Sequence, residues 1–150
     1  MVVKMKKIKE DAILPTRGST EAAGYDLYAN SIKVGSDNWE LDIDPGQTVK
    51  IGTGIATEIP DGYFGGIYAR SGLATKQGLA PANKVGVVDA DYRGELIVAL
   101  HNHSNKIQTI HKGDKIAQLI IQPYLSFEIE EVDELSETER GEGGFGSTGK

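Results

Sequence analysis

The sequence predicts an all-β domain, and three observations carry the prediction. The chain has 150 residues, close to the commonest size for a single domain. It holds 19 glycines, a count that favours turns over long helices. Short β-branched or apolar segments recur at fairly even spacing, with turn residues between them. This pattern is typical of a sandwich or barrel of short strands.

Seven segments are predicted as strands: 2–8, 41–43, 48–51, 54–59, 63–68, 96–100 and 116–121. Residues 44–47 read Asp-Pro-Gly-Gln, which predicts a turn between the second and third segments. The last two segments are continuous apolar runs, suited to strands buried on both faces or to short core helices. Their length and their β-branched residues favour strands.

One short helix is predicted at residues 71–77. Ser71 is a favourable N-cap residue, and Gly78 ends the segment after one or two turns.

The composition changes near the C-terminus. Residues 128–142 are acidic and residues 141–149 contain five glycines, too little apolar surface to order the segment. We therefore predict a domain at residues 1–135 and a flexible arm at 136–150. A frayed terminus is the commoner interpretation of such a tail. The alternative is an arm that closes over a ligand, because Phe145, a lone aromatic among glycines, can stack on a planar group.

Charge and composition exclude several classes. The formal net charge of −6 opposes wrapping of a nucleic-acid backbone, which needs clustered Lys and Arg. The chain has no cysteine, which excludes disulfides and thiolate metal sites. No apolar run approaches the ~20 residues that cross a membrane, and residues 1–10 do not resemble a signal peptide. We expect a cytoplasmic protein with neither a nucleic-acid nor a membrane partner.

Two segments are candidates for binding phosphate. Arg70, Ser71 and Gly72 follow a predicted strand and open the predicted helix, where backbone N–H groups favour anions. The alternative is a capped helix with a surface arginine. In the tail, residues 144–150 read Gly-Phe-Gly-Ser-Thr-Gly-Lys, whose backbone N–H groups can cradle a phosphate, and Arg140 precedes them.

Two polar residues interrupt apolar segments. Asp26 lies within Ala-Gly-Tyr-Asp-Leu-Tyr-Ala and needs a hydrogen-bonding partner or a metal. Gln118 lies within a predicted core strand and must bond either a neighbouring backbone or a ligand. A structural hydrogen bond is the simpler interpretation in both cases.

Residues 86–95 lie between apolar strands and are predicted to form a hairpin. Asp89 follows apolar residues, so partial burial would suit it to act as a general base, whereas Asp91 is a turn residue. Tyr92, two positions before Gly94, can form the wall of a pocket. Considered alone, a structural hairpin is the commoner interpretation.

Together these segments, in this order, resemble the five motifs of the trimeric deoxyuridine triphosphatase (dUTPase) family from residue 23 to residue 149. The resemblance implies a jelly-roll-like β-barrel. It also implies a homotrimer with three active sites at subunit interfaces, each closed by a C-terminal arm. The implied reaction is hydrolysis of dUTP to dUMP and pyrophosphate with Mg²⁺.

The resemblance also implies roles for individual residues. Asp89 would activate the attacking water, and Asp26 would bind Mg²⁺ through water. The remaining residues would bind substrate: Arg70, Ser71, Gly72 and Gln118 the phosphates; Asn83, Gly86 and Val88 the uracil edge; Tyr92 the deoxyribose; Arg140, Gly146, Ser147 and Thr148 the terminal phosphates; and Phe145 the uracil face.

Two rival classes remain at this stage. A dCTP deaminase has a similar fold, but no carboxylate here matches its signature. A non-catalytic nucleotide-binding module would keep the fold without turnover.

Overall fold

Ten strands and one short helix make up the fold in a computed structural model that describes residues 1–32 and 39–146. The strands are β1 (Lys4–Lys7), β2 (Tyr25–Tyr28), β3 (Glu40–Ile43), β4 (Thr48–Glu58), β5 (Tyr63–Tyr68), β6 (Leu79–Pro81), β7 (Gly86–Val88), β8 (Glu95–Asn102), β9 (Gln108–His111) and β10 (Lys115–Pro123). Each predicted strand segment overlaps one of them.

The strands form two four-stranded sheets and a two-stranded ribbon. One sheet has the order β1-β4-β8-β6, the other β2-β10-β5-β7, and β3 pairs with β9. Every pairing between these strands is antiparallel, and most join segments far apart in sequence. The predicted all-β, jelly-roll-like fold is therefore confirmed.

The core lies between the two sheets. In β8, Leu96, Val98 and Leu100 are buried while Ile97 between them is 47% exposed. This alternation corrects the expectation that the segment is buried on both faces, since one face of the sheet points away from the core. Leu27 and Leu119 of the second sheet belong to the same buried cluster.

The burial of Ile110 in β9 gives a stability prediction. Ile110 is 2% exposed, so Ile110→Ala should lower the free energy of unfolding by about 2–5 kcal/mol through lost apolar contact and a cavity. The matched control is Ile107→Ala, since Ile107 is 58% exposed and its truncation should cost about 0.5 kcal/mol or less. Urea unfolding at one fixed protein concentration measures both. Equal losses in the two variants would contradict this description of the core.

Two predicted segments join in one long strand, β4. Gly54 has a φ of +71°, and the pairing of β4 with β8 shifts register between Gly52 and Ala56. The strand is therefore bent by a bulge rather than interrupted.

The predicted hairpin at residues 86–95 is wrong. β7 pairs with β5 in one sheet, whereas β8 pairs with β4 and β6 in the other. The connection between β7 and β8 therefore crosses from sheet to sheet, and it carries Asp89 and Tyr92 across the edge of the sandwich.

The predicted short helix is present at Leu73–Gln77 as a single turn of π-type helix. Gly78, with a φ of 70°, ends it as expected, but no side chain caps its start, so the predicted N-cap role of Ser71 is wrong. The buried Leu73 anchors the turn instead. Within the described part of the chain, no helix has the length and apolar character needed to span a membrane.

Candidate active site

One group of predicted site residues lines a groove of about 380 Å³. Asp26 in β2 faces Gln118 in β10, and Gln118 in turn faces Tyr68, near the end of β5. Strand pairing thus brings together residues far apart in sequence. The groove is completed by the segment that follows β5, with Arg70, Ser71 and Gly72.

Asp26 is held by two cations. Its Oδ1 accepts a hydrogen bond from Arg70 Nε at 2.8 Å, and its Oδ2 pairs with Lys115 Nζ at 2.8 Å. The Asp26 side chain is 15% exposed. Burial alone would raise the pKa of Asp26, but the hydrogen bonds from Lys115 and Arg70 outweigh it and hold this pKa below its usual value. Asp26 is thus a charged, fully partnered carboxylate at the base of the groove.

Lys115 is a site residue that sequence analysis missed. The same ion pair with Asp26 raises its pKa above the ordinary value, and its backbone oxygen accepts a hydrogen bond from Arg70 Nη1 at 3.3 Å. Nothing in the spacing of the sequence pairs Lys115 with Asp26, because the two residues lie on different strands, and the pairing places Tyr28 opposite Lys115 and Gln118 opposite Asp26.

This ion-pair cluster gives a pH-dependent stability prediction. A carboxylate with a depressed folded-state pKa stabilises the fold above its unfolded value, near 3.8, and loses that contribution as pH falls through the folded value. Asp26→Asn should therefore lower the melting temperature near neutral pH and lower it less in acid, below the folded pKa. Thermal unfolding of wild type and variant across this range measures the effect, with Asp133→Asn in the exposed tail as control. A pH-independent difference would contradict the assignment.

Gln118 is fixed by backbone, as the simpler interpretation expected. Its Nε2 donates to the Ala69 oxygen at 2.9 Å. Its side chain also lies against Gly24, where an added Cβ would come within 2.2 Å of Gln118 Oε1. These contacts hold the amide at the wall of the groove.

A second group of predicted residues surrounds a narrow pocket of about 180 Å³. Gly86 and Val88 of β7 are buried and line this pocket. A Cβ at Gly86 would meet Asn83 Nδ2 and Ile67 Cβ, each at 3.3 Å, so glycine keeps this wall open. Asn83 also lines the pocket.

Asp89 and Tyr92 stand at the mouth of this pocket. Asp89 follows β7 and is exposed, which corrects the predicted partial burial; the crossing between sheets carries it outward. Asp89 also lines an adjoining groove of about 710 Å³. Tyr92 is 44% exposed, and its hydroxyl donates to the Glu95 oxygen at 3.1 Å.

The arm lies apart from both cavities. Phe145 is fully exposed with a φ of 51°, and Arg140 Nε donates to the Gly143 oxygen at 2.8 Å, a contact within the arm. Among the arm residues described, 136–146, none lines the groove or the pocket. Gly146 is exposed at the end of this segment, and the predicted phosphate contacts Ser147 and Thr148 lie outside the described residues.

The fold and the two cavities together indicate a class of protein. An all-β domain offers a groove lined by Arg70, Ser71 and Gly72, whose guanidinium and hydroxyl suit phosphates, and a separate, smaller pocket lined by Asn83, Gly86 and Tyr92, among others, that suits a base and sugar. Such a pair of cavities fits a nucleotide.

Comparison with known proteins agrees. A family model described as dUTPase matches residues 10–149. The deoxyuridine 5'-triphosphate nucleotidohydrolase of Nautilia profundicola is 49% identical over 150 residues, covering 100% of both chains. The chain therefore belongs to the dUTPase family, an enzyme family, as the sequence motifs indicated.

Solved structures share the fold. A mutant of the Staphylococcus bacteriophage 80alpha dUTPase with dUpNHpp superposes with a TM-score of 0.84 at 29% identity, covering 99% of each chain. A mutant dUTPase from phage phi11 of S. aureus, described with a structural Mg(II) ion, gives a TM-score of 0.74 at 26% identity, covering 89% of this chain and 98% of that one.

Proposed function

We propose that this chain hydrolyses dUTP to dUMP and pyrophosphate. The observation that carries the proposal is the narrow pocket of about 180 Å³ with a carboxylate, Asp89, at its mouth. Similarity to nucleotidohydrolases of dUTP and to a dUTPase structure with dUpNHpp supports the same substrate.

Base selection rests on fixed polar groups. The backbone of Gly86 and Val88 and the Asn83 amide present donors and acceptors that a uracil edge can pair. Cytosine reverses part of that pattern and would leave buried groups unpaired, a mismatch that can discriminate by on the order of 10⁴-fold. Tyr92 packs under the sugar and excludes a 2′-hydroxyl.

The chemical step uses Asp89 as general base. Its carboxylate takes a proton from water as the water oxygen attacks the α-phosphorus. The bond from this phosphorus to the bridging oxygen breaks, and pyrophosphate leaves in line with the attack. Exposure of Asp89 in a single chain leaves it open to water and to a substrate bound alongside.

The phosphates bind in the groove that holds Arg70 and Asp26. Arg70, Ser71 and Gly72 offer a guanidinium, a hydroxyl and close backbone approach, and Gln118 adds an amide. Binding by these groups orients the triphosphate so that its α-phosphorus faces the water held by Asp89.

Magnesium fits this groove through water rather than by direct ligation. Both oxygens of Asp26 already accept from Arg70 and Lys115, so the carboxylate suits water-mediated contact with an ion held mainly by phosphate oxygens. When bound, Mg²⁺ neutralises charge on the phosphates and the leaving pyrophosphate. The phi11 dUTPase mutant is described with a structural Mg(II) ion, which supports Mg²⁺ as the metal.

A homotrimer would complete the site. In the described residues of one chain, the groove and the pocket share no lining residue. Pairing the groove of one subunit with the pocket of the next brings phosphate and base sites together. The exposed arm of a further subunit would then place Phe145 on uracil, and Arg140, Gly146, Ser147 and Thr148 on the terminal phosphates.

The proposed cellular role follows from the reaction. Removal of dUTP keeps uracil out of DNA, and dUMP is the precursor for thymidylate. The substrate is a free nucleotide, so we place the enzyme in the cytoplasm.

Product analysis tests the proposal. The protein is incubated with dUTP, dCTP, dTTP or UTP, each with Mg²⁺, and we expect pyrophosphate and dUMP from dUTP alone. Ammonia released from dCTP would move the assignment to a deaminase. Nucleotide binding without any turnover would identify a binding module.

A further inference from the structure

Gly94 lies directly against the Tyr92 side chain. A Cβ built on Gly94 would come within 2.3 Å of the Tyr92 hydroxyl oxygen and 2.5 Å of its Cζ, closer than real Cβ contacts allow. The Tyr92 ring therefore occupies space that any other residue at position 94 would fill. The absence of a side chain at Gly94 is a condition for the observed position of the ring.

The ring is also anchored through Glu95. The Tyr92 hydroxyl donates to the Glu95 backbone oxygen at 3.1 Å. The Glu95 carboxylate in turn accepts the Gly54 N–H at 2.7 Å, at the bulge where Gly54 has a φ of +71°. Gly52 leaves room for this contact, since a Cβ there would come within 2.5 Å of Glu95 Oε1.

These contacts connect Tyr92, which lines the narrow pocket, to the buried part of β4. β4 is buried from Ile51 to Thr57, and Glu95 reaches its bulge. The Tyr92 side chain is 44% exposed, so its surroundings enclose it only in part. The position of the half-exposed Tyr92 ring therefore depends on its contacts with Gly94 and Glu95.

We propose that Gly94 and the Glu95 carboxylate are positioning residues that set the selectivity of the pocket for deoxyribose over ribose. The proposal rests on the function proposed above, in which Tyr92 packs under the sugar. The missing side chain at Gly94 leaves room for the Tyr92 ring to lie against the backbone. The Glu95 carboxylate fixes the position of the Glu95 backbone carbonyl, which accepts the hydrogen bond from the Tyr92 hydroxyl. Neither residue needs to contact the phosphates or the attacking water.

Gly94→Ala should move the ring without unfolding the chain. Because the clashing atoms belong to the outer end of a half-exposed side chain, Tyr92 can swing outward. The side of the pocket that Tyr92 forms under the sugar then opens, and the pocket can accommodate the 2′-hydroxyl of a ribonucleotide. We expect the preference for deoxyuridine over uridine nucleotides to fall by at least about tenfold, chiefly through tighter binding of the ribonucleotide.

Glu95 provides an independent variant pair. Glu95→Ala removes the acceptor for Gly54 N–H and frees the anchoring carbonyl, so it should weaken selectivity in the same direction. Glu95→Gln keeps an oxygen at the Oε1 position and should preserve selectivity. A merely structural role for Glu95 would change the melting temperature without changing the ratio between the two sugars.

The experiment measures two ratios for each full-length variant. Dissociation constants for dUDP and UDP with Mg²⁺ report selectivity without turnover, and kcat/KM for dUTP and UTP reports it in catalysis. Gly46→Asn is the control, because Gly46 lies in the turn between β3 and β4 with a φ of 77°, which asparagine tolerates, and an added Cβ there meets nothing within 4 Å.

A selectivity ratio for folded Gly94→Ala within about twofold of wild type would overturn the proposal, as would loss of selectivity in Glu95→Gln equal to that in Glu95→Ala. Failure of wild type to hydrolyse dUTP would sink the proposed function, while the binding ratio would still decide the role of Gly94. Wild type that binds neither diphosphate would overturn both.

Discussion

Replacing Asp89 with asparagine is expected to lower kcat for dUTP hydrolysis by about 10³-fold while leaving substrate binding nearly unchanged. The amide keeps the size of the carboxylate and its place at the mouth of the pocket, but it cannot take a proton from water. The backbone of β7 and the groove around Arg70 would be untouched, so the nucleotide should still bind. Steady-state kinetics with dUTP, together with the dissociation constant for dUpNHpp, separates the two effects.

The matched control is Asp61→Asn. Asp61 is exposed in the turn between β4 and β5 and lines the same 710 Å³ groove as Asp89, so the variant removes a nearby charge of the same kind. It should keep near wild-type turnover. If Asp89→Asn hydrolysed dUTP at the wild-type rate, Asp89 would not be the base; if both variants lost activity equally, the effect would be one of groove charge.

Local sequence predicts the strands of this fold better than it predicts their partners. Short runs such as residues 63–68 became strands because their apolar residues and flanking turns act locally. The hairpin predicted at residues 86–95 failed because pairing is decided over long separations: β8 contacts β4, more than 40 positions away along much of their length. The bulge at Gly54 depends in the same way on Glu95, 41 positions later.

In the candidate active site too, local sequence indicated individual residues but not their contacts. Asp26, Arg70 and Gln118 were recognisable as polar residues in apolar or loop settings, and strand pairing brings them to one groove. Lys115 was missed because its partner Asp26 lies on another strand, and residue types alone do not report register. The contact of Gly94 with Tyr92 was also missed, although only Arg93 separates them in sequence, because it depends on how the chain crosses between the sheets.

Deleting residues 139–150 is expected to reduce kcat/KM for dUTP by at least about 10²-fold while leaving the domain folded. The deletion removes Arg140 and Phe145, the proposed contacts to the γ-phosphate and the uracil face. Without closure of the arm, water is not excluded and the α-phosphorus is not held in line. Stability should be retained, because the hydrogen bonds described for residues 138–143 join residues within the arm, and Phe145 has no core contact to lose.

Phe145→Ala separates stacking from the rest of the arm. It removes the aromatic ring but keeps Arg140 and the glycine-rich backbone, so its loss should be smaller than that of the deletion and should lie mainly in KM. Melting temperatures of wild type, Phe145→Ala and the truncated chain should agree, which distinguishes lost closure from lost folding. Wild-type kcat/KM in the truncated chain would refute the closing arm, and the tail would then be the frayed terminus that its composition first suggested.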